Sequence, residues 1–185
     1  MKNIWLIASI TAGALAAAQP LIGEDPIVWV PASALVRIYP TEKPGSGTTV
    51  TISAARGEVQ SFQVAVQGPA HGLTGVRVSI TDLVSSNAKD EIISRDNLIL
   101  YREKYMTVLQ HSPTYNGPPN LPITNINTFP DILIPFIDPA TKEPPSGGSF
   151  VAEPVDVSSG HNVVFWVDLT IPRDAKGAIT VGAIP

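Results

Sequence analysis

The run from Val163 to Ile171 constrains this chain more than any other feature. Val163, Phe165, Val167, Leu169 and Ile171 alternate with Val164, Trp166, Asp168 and Thr170. Successive side chains of an extended backbone point to opposite sides, so an apolar residue at every second position marks a strand with one buried face. The same period recurs along the chain. Val59 to Gln67 sets Phe62, Val64 and Val66 on one face and Ser61, Gln63 and Ala65 on the other. Gly75 to Thr81 sets Val76, Val78 and Ile80 inward and Arg77, Ser79 and Thr81 outward. Thr48 to Ser53 alternates through Val50 and Ile52. Further strand signals lie at Ile27 to Val30, Ser33 to Tyr39, Asn97 to Arg102 and Tyr105 to Leu109. After Pro20 no stretch of ten residues carries the 3.6-residue apolar period of a helix.

Eighteen prolines and 14 glycines among 185 residues punctuate these runs. Lys43 to Gly47, Gly68 to Gly72 and Ser85 to Asp90 are turn or loop signals between them. Short one-sided strands joined by turns predict an all-β, antiparallel β-sandwich, immunoglobulin-like or jelly-roll-like. One segment departs from the pattern. Residues 113–154 hold ten of the eighteen prolines. Each lacks a backbone donor, so none belongs in a central strand. Long excursions within compact domains are uncommon and often functional. The expectation is an interface built on Phe129, Pro130, Asp131, Leu133 and Pro135; the alternative is a surface loop. The apolar content of this stretch favours at least local packing.

The N-terminus reads as a secretory leader, residues 1–18. Lys2 is followed by an uncharged apolar run and by Ala16-Ala17-Ala18, which predicts cleavage after Ala18 and export to the periplasm or medium of a bacterium. The run is too short to span a membrane and Gln19-Pro20 ends it, so no membrane span is expected. The expected mature protein is residues 19–185, one domain.

Several chemistries are disfavoured. A net charge of −4 argues against nucleic-acid binding, which calls for a basic patch. The absence of Cys excludes disulfides, thiolate metal sites and a thiol nucleophile. His71, His111 and His161 lack metal-ligand spacing, so no metal or cofactor is expected. No G-x-S-x-G elbow is present, and Gly45-Ser46-Gly47 is a turn with no helix pattern behind it. Glu24-Asp25, Asp90-Glu91 and Glu103 read as solvated acids, not a converging pair for glycoside hydrolysis. Arg56 and Glu58, two apart near a strand start, can share a face and read as making a structural ion pair with a neighbouring strand. Tyr101, Tyr105 and the outward Trp166 could stack on a sugar ring, whose C–H surface suits an aromatic platform. Edge or interface packing is the competing reading for the two tyrosines, and a second packed layer covering it is the competing reading for Trp166.

Three segments together resemble a known family. They are Ala54 to Gln63 (AARGEVQSFQ), Leu100 to Tyr105 (LYREKY) followed by Phe129 to Pro135 (FPDILIP), and Val164 to Ala175 (VFWVDLTIPRDA). Their order and spacing resemble the N-terminal β-sandwich domain of glycoside hydrolase family 123 and its relatives, over residues 27–182. The resemblance implies secreted enzymes that release N-acetylgalactosamine. It also implies that catalysis belongs to a (β/α)8 barrel following the sandwich, where an Asp-Glu pair and the substrate's acetamido group act. No catalytic residue maps onto this sequence. The third segment departs from the family pattern at Lys176 to Gly182, which lacks the Gly-x-Tyr-x-Gly continuation.

The expectation is therefore an exported, non-catalytic module of a glycoside-hydrolase-like protein that supports or orients a catalytic barrel outside this chain. Two alternatives stand beside it: a carbohydrate-binding module that takes a glycan, and a cell-surface structural or adhesion domain, since fold does not fix function.

Overall fold

The structure is a computed structural model that describes residues 6–7, 10–13, 25–85, 92–108, 128–175 and 179–182. It is all-β, built on two facing layers. Thirteen strands are described: β1 (Leu6–Ile7), β2 (Ile10–Gly13), β3 (Ile27–Trp29), β4 (Thr49–Ile52), β5 (Val59–Gln67), β6 (Leu73–Ile80), β7 (Leu83–Ser85), β8 (Ile92–Ile93), β9 (Leu98–Thr107), β10 (Thr128–Pro135), β11 (Val155–Val157), β12 (Asn162–Thr170) and β13 (Ile179–Gly182). A 3-10 turn at Arg95–Asn97 precedes β9.

The larger layer is one antiparallel sheet in the order β10-β9-β12-β5-β3. Its centre is the pairing of the two strongest alternating runs. Along β12 and β5, Phe165 stands opposite Val64, Val167 opposite Phe62 and Val163 opposite Val66. All six are buried, and both Phe165 and Leu169 are fully inaccessible. The facing layer consists of short sheets, β11-β6-β2, β13-β4 and β1-β7-β8. From it Val50, Ile52, Val76, Val78, Leu83, Ile93 and Val157 close the core. Ile80, expected inward, is only partly buried against this cluster. The Phe136 ring meets Phe165 edge-on at 6.1 Å, which anchors the end of β10 to the same core.

The proline-rich excursion divides in two. Residues 109–127 lie outside the described residues. Thr128–Pro135 is not a loop but the edge strand of the main sheet, paired with β9 and bulged between Pro130 and Ile132. An edge position tolerates Pro130 and Pro135, whose missing donors face no further strand. His111 and the acids Glu24, Asp90 and Glu91 also lie outside the described residues.

Ser33 to Tyr39, expected as a strand, forms none. Residues 30–47 instead form a strap across the outer face of the main sheet. Pro31 and Pro40 remove donors at both ends of the alternating run, and side-chain amides take up the strap's carbonyls in place of a neighbouring strand. Gln63 Nε2 donates to the carbonyls of Ala34 and Val36. Asn162 Nδ2 donates to those of Tyr39 and Glu42, at 3.0 and 2.9 Å, and Gln67 Nε2 donates to Glu42. Under the strap Trp29, Ile38, Ala65 and Val164 form a second apolar cluster, with Tyr105 packed against it.

The ion pair expected between Arg56 or Glu58 and a neighbouring strand is not formed among the described residues. Among the described residues the salt bridge is Arg77–Glu153, at 3.6 Å. Glu58 closes its own turn, accepting from the Ala55 amide at 2.7 Å and from Gln60 Nε2 at 2.8 Å. The leader expectation falls partly on described residues: β1 pairs with β7 and β2 with β6, whereas Ala18, the expected cleavage point, lies outside them.

Candidate functional site

The outer face of the main sheet carries the candidate chemistry, because alternation turns Tyr101, Glu103 and Tyr105 of β9 to the same side as Trp166 and Asp168 of β12. Trp166 lies directly opposite Tyr101, and Asp168 opposite Ile99 and Ser61. Asp168 organises this end of the face. Its Oδ1 accepts from Ser61 Oγ at 2.6 Å and from Trp166 Nε1 at 2.7 Å. Burial, and then the negative charge of Asp168, push the Tyr101 phenol above its ordinary value. Two half-buried aromatic rings beside a carboxylate therefore share one surface. Tyr105 is set apart from them. It tucks beneath the strap, and its hydroxyl is buried with no hydrogen-bond partner. Burial, with Glu103 and Glu42 adding negative charge, raises its pKa strongly.

The expectation of Glu103 as a solvated acid is wrong. It is 6% exposed, in mid-strand, with Val164 and Leu133 as its cross-strand neighbours. Its Oε1 has no partner, and burial raises its pKa to about 7. The sequence could not reveal this, because the strap that covers Glu103 comes from some sixty residues upstream.

Beyond the start of β12 the sheet opens into a pocket of about 220 Å3, bordered by Glu103, Tyr105, Arg102 and the turn that carries Asp156, Ser158 and His161. Of these residues Glu103 is buried, whereas Asp156, Ser158 and His161 are exposed. Gly68 holds this turn. Its amide donates to the His161 carbonyl and its carbonyl accepts from the Gly160 amide, both at 2.9 Å. A Cβ at Gly68 would lie 2.6 Å from the Ser158 carbonyl oxygen, so only glycine permits the approach. Asn162, tied to the strap on one side and to Gln67 on the other, fixes the adjoining wall. Among the described residues no group of three or more His, Cys, Asp or Glu side chains could hold a metal ion.

The five residues expected at an interface all lie on β10. Leu133, 42% exposed, stands opposite Glu103, and Pro135 opposite Tyr101. Asp131 sits in the bulge. Phe129 is already engaged within the domain: Tyr39 meets its ring edge-on at 6.2 Å, and the Arg37 guanidinium lies 5.8 Å above it.

The fold thus defines a β-sandwich with an aromatic surface on one outer face and a polar pocket near the start of β12. A solved structure with this fold is that of a family 123 glycoside hydrolase from Clostridium perfringens, described in connection with the hydrolysis of glycolipid glycans. It matches with a TM-score of 0.52 at 12% identity, over 86% of this chain and 27% of that one. The chain therefore spans about a quarter of that enzyme's length. No protein-family model and no curated protein matches it. No helix among the described residues is long and apolar enough to cross a membrane.

Proposed function

We propose that this chain is an exported, non-catalytic sandwich domain of a glycoside-hydrolase-like protein, and that it supports or orients a catalytic barrel. The observation that carries this reading is that nearly the whole sandwich matches only a quarter of the family 123 enzyme. A domain of this kind meets its neighbour through a partly apolar surface. The β10 edge supplies one, with Leu133 and Ile137 exposed beside Pro130 and Pro135. Under this reading the exported chain begins at Gln19, and intact mass of protein recovered outside the cytoplasm checks that directly; recovery with Met1 to Ala18 attached counts against it.

The main test uses the purified chain and a family 123 barrel supplied as a separate polypeptide. The chain alone should release no aglycone from an aryl N-acetyl-β-galactosaminide. It should bind the barrel, and Leu133→Lys should weaken that binding about tenfold or more, since a buried unpaired charge costs more than the roughly 1.4 kcal/mol that corresponds to a factor of ten. Failure to bind sinks the scaffold role. Turnover that survives purification and vanishes in Glu103→Gln sinks the non-catalytic one.

The Tyr101–Trp166 pair favours a second reading, a carbohydrate-binding module. Its ring surface beside the Asp168 carboxylate suits a sugar face with a hydroxyl to anchor. Binding to immobilised glycans that is lost in Trp166→Ala distinguishes it from the scaffold.

A further inference from the structure

At the Asp168 end of the outer face, three side chains gather near one carboxylate. Trp166 of β12 and Tyr101 of β9 are cross-strand partners, and Asp168 lies two residues beyond Trp166 on the same face. Trp166 Nε1 and Ser61 Oγ both donate to Asp168 Oδ1, at 2.7 and 2.6 Å. The Tyr101 phenol stands close enough to feel the same negative charge. The four residues are thus brought together by contact as well as by alternation, and all four are half-buried. Asp168 nevertheless has no cationic partner: among the described residues the ion pair is the one that Arg77 of β6 makes with Glu153. We propose that this face binds an organic cation of the trimethylammonium type, held by the ring faces of Trp166 and Tyr101 and by the Asp168 carboxylate.

The bonding already in place selects that class. Trp166 gives its N–H to Asp168, so the polar edge of the indole is occupied and its π faces remain for a ligand. Those faces are negative and attract a cation that comes within about 6 Å of the ring centre, Trp most strongly. Ser61 and Trp166 are neutral donors, so they orient the carboxylate without cancelling its charge. Two rings and an uncancelled carboxylate together favour positive charge. A methylated ammonium suits them better than a hydrated one, because its methyl groups lie on ring faces while its charge approaches the carboxylate. Pro135, opposite Tyr101, and the exposed Ile99, opposite Asp168, add apolar surface for the same methyl groups. A metal ion is not favoured, since no group of three or more His, Cys, Asp or Glu side chains stands together among the described residues. Gln63, paired with Trp166 on β5 and bonded to the strap at Ala34 and Val36, fixes one border of the site.

The inference goes beyond both readings above, because a scaffold needs no ligand on this face and a carbohydrate module takes a neutral ring. The whole chain, labelled with nitrogen-15, is titrated with choline, with dimethylbutanol, its neutral isostere carrying carbon in place of nitrogen, and with galactose. The titrations run into the millimolar range expected for ligands of so few atoms. Choline should shift the backbone amides of Tyr101, Trp166 and Asp168 and the Trp166 indole N–H in a saturable way. It should bind at least about fivefold more tightly than the isostere. Asp168→Asn keeps an acceptor for Ser61 and Trp166 but removes the charge, and should weaken choline about five- to tenfold. Trp166→Ala should weaken it about tenfold or more, whereas Arg77→Ala should leave it unchanged. Co-sedimentation of the chain with phosphatidylcholine vesicles assigns the cation to a lipid headgroup, and binding of free choline alone assigns it to a soluble ligand; either supports the site. Four results overturn the proposal: no saturable shift with choline, equal affinity for the isostere, unchanged affinity in Asp168→Asn, or shifts with galactose and none with choline, which would return the face to the carbohydrate reading. The isostere comparison uses the unaltered chain, so it decides even where a variant misfolds.

Discussion

Phe165→Ala should lower stability by about 3–5 kcal/mol, the usual range for emptying a well-packed aromatic site. Phe165 is fully buried in the main sheet between Val64 of β5 and Arg102 of β9. Its ring also meets Phe136 edge-on, and an aromatic pair adds about 0.5–1.5 kcal/mol beyond area burial. The surrounding strands are held by ladders on both sides, so they cannot collapse into the space. For a domain of this size the loss corresponds to a melting temperature about 10 °C lower. Arg77→Ala is the control. Arg77 is 60% exposed and its 3.6 Å contact with Glu153 is a surface ion pair, so its loss should cost less than about 1 kcal/mol. Urea unfolding of the three proteins makes the comparison. Equal losses would mean that the phase of these strands has been assigned to the wrong face.

The second large effect concerns pH. Glu103 is held with a pKa of about 7, raised by burial from 4.5. An acid with a raised folded-state pKa binds its proton more tightly when folded. Its contribution is therefore complete below pH 4.5 and is lost as pH rises through about 7. The loss between those limits should be about 2–3 kcal/mol. Other ionisable groups stand near: Arg102, Lys104 and Tyr105 on the same strand, Glu42 beside Tyr105, and Asp156 and His161 along the same pocket. The comparison is therefore the difference between the chain and Glu103→Gln, measured by urea unfolding from pH 4.5 to 8. Glu103→Gln should be the less pH-sensitive of the two, with a difference that grows towards alkaline pH. A difference curve that is flat, or that slopes the other way, removes Glu103 from its buried site.

Both effects trace to the same sheet, but only one was legible in the sequence. Period-two alternation in Val59 to Gln67, Gly75 to Thr81 and Val163 to Ile171 set the fold class and the inward residues, because the pleat alone decides which side chains share a face. It also placed Trp166 on an outward phase. It misjudged Ser33 to Tyr39, where alternation is real but no neighbouring strand exists to complete the ladder. It kept the prolines of the 113–154 segment out of central strands, as holds for those among the described residues, yet did not show that Pro130 and Pro135 close an edge strand.

What the sequence determined by itself was thus periodicity and its consequences: an all-β chain, a one-sided core, and no thiol chemistry. What only the tertiary structure decided was coverage. The outer face of a sheet carries the same alternation whether water or protein lies over it. The strap of residues 30–47 converts that face into an interior, and it is held there by Gln63, Gln67 and Asn162, residues far from it along the chain. This is why Glu103 reads as an ordinary surface acid in the sequence and stands in the fold as a buried one, since desolvation depends on what packs above a group and not on its neighbours along the strand.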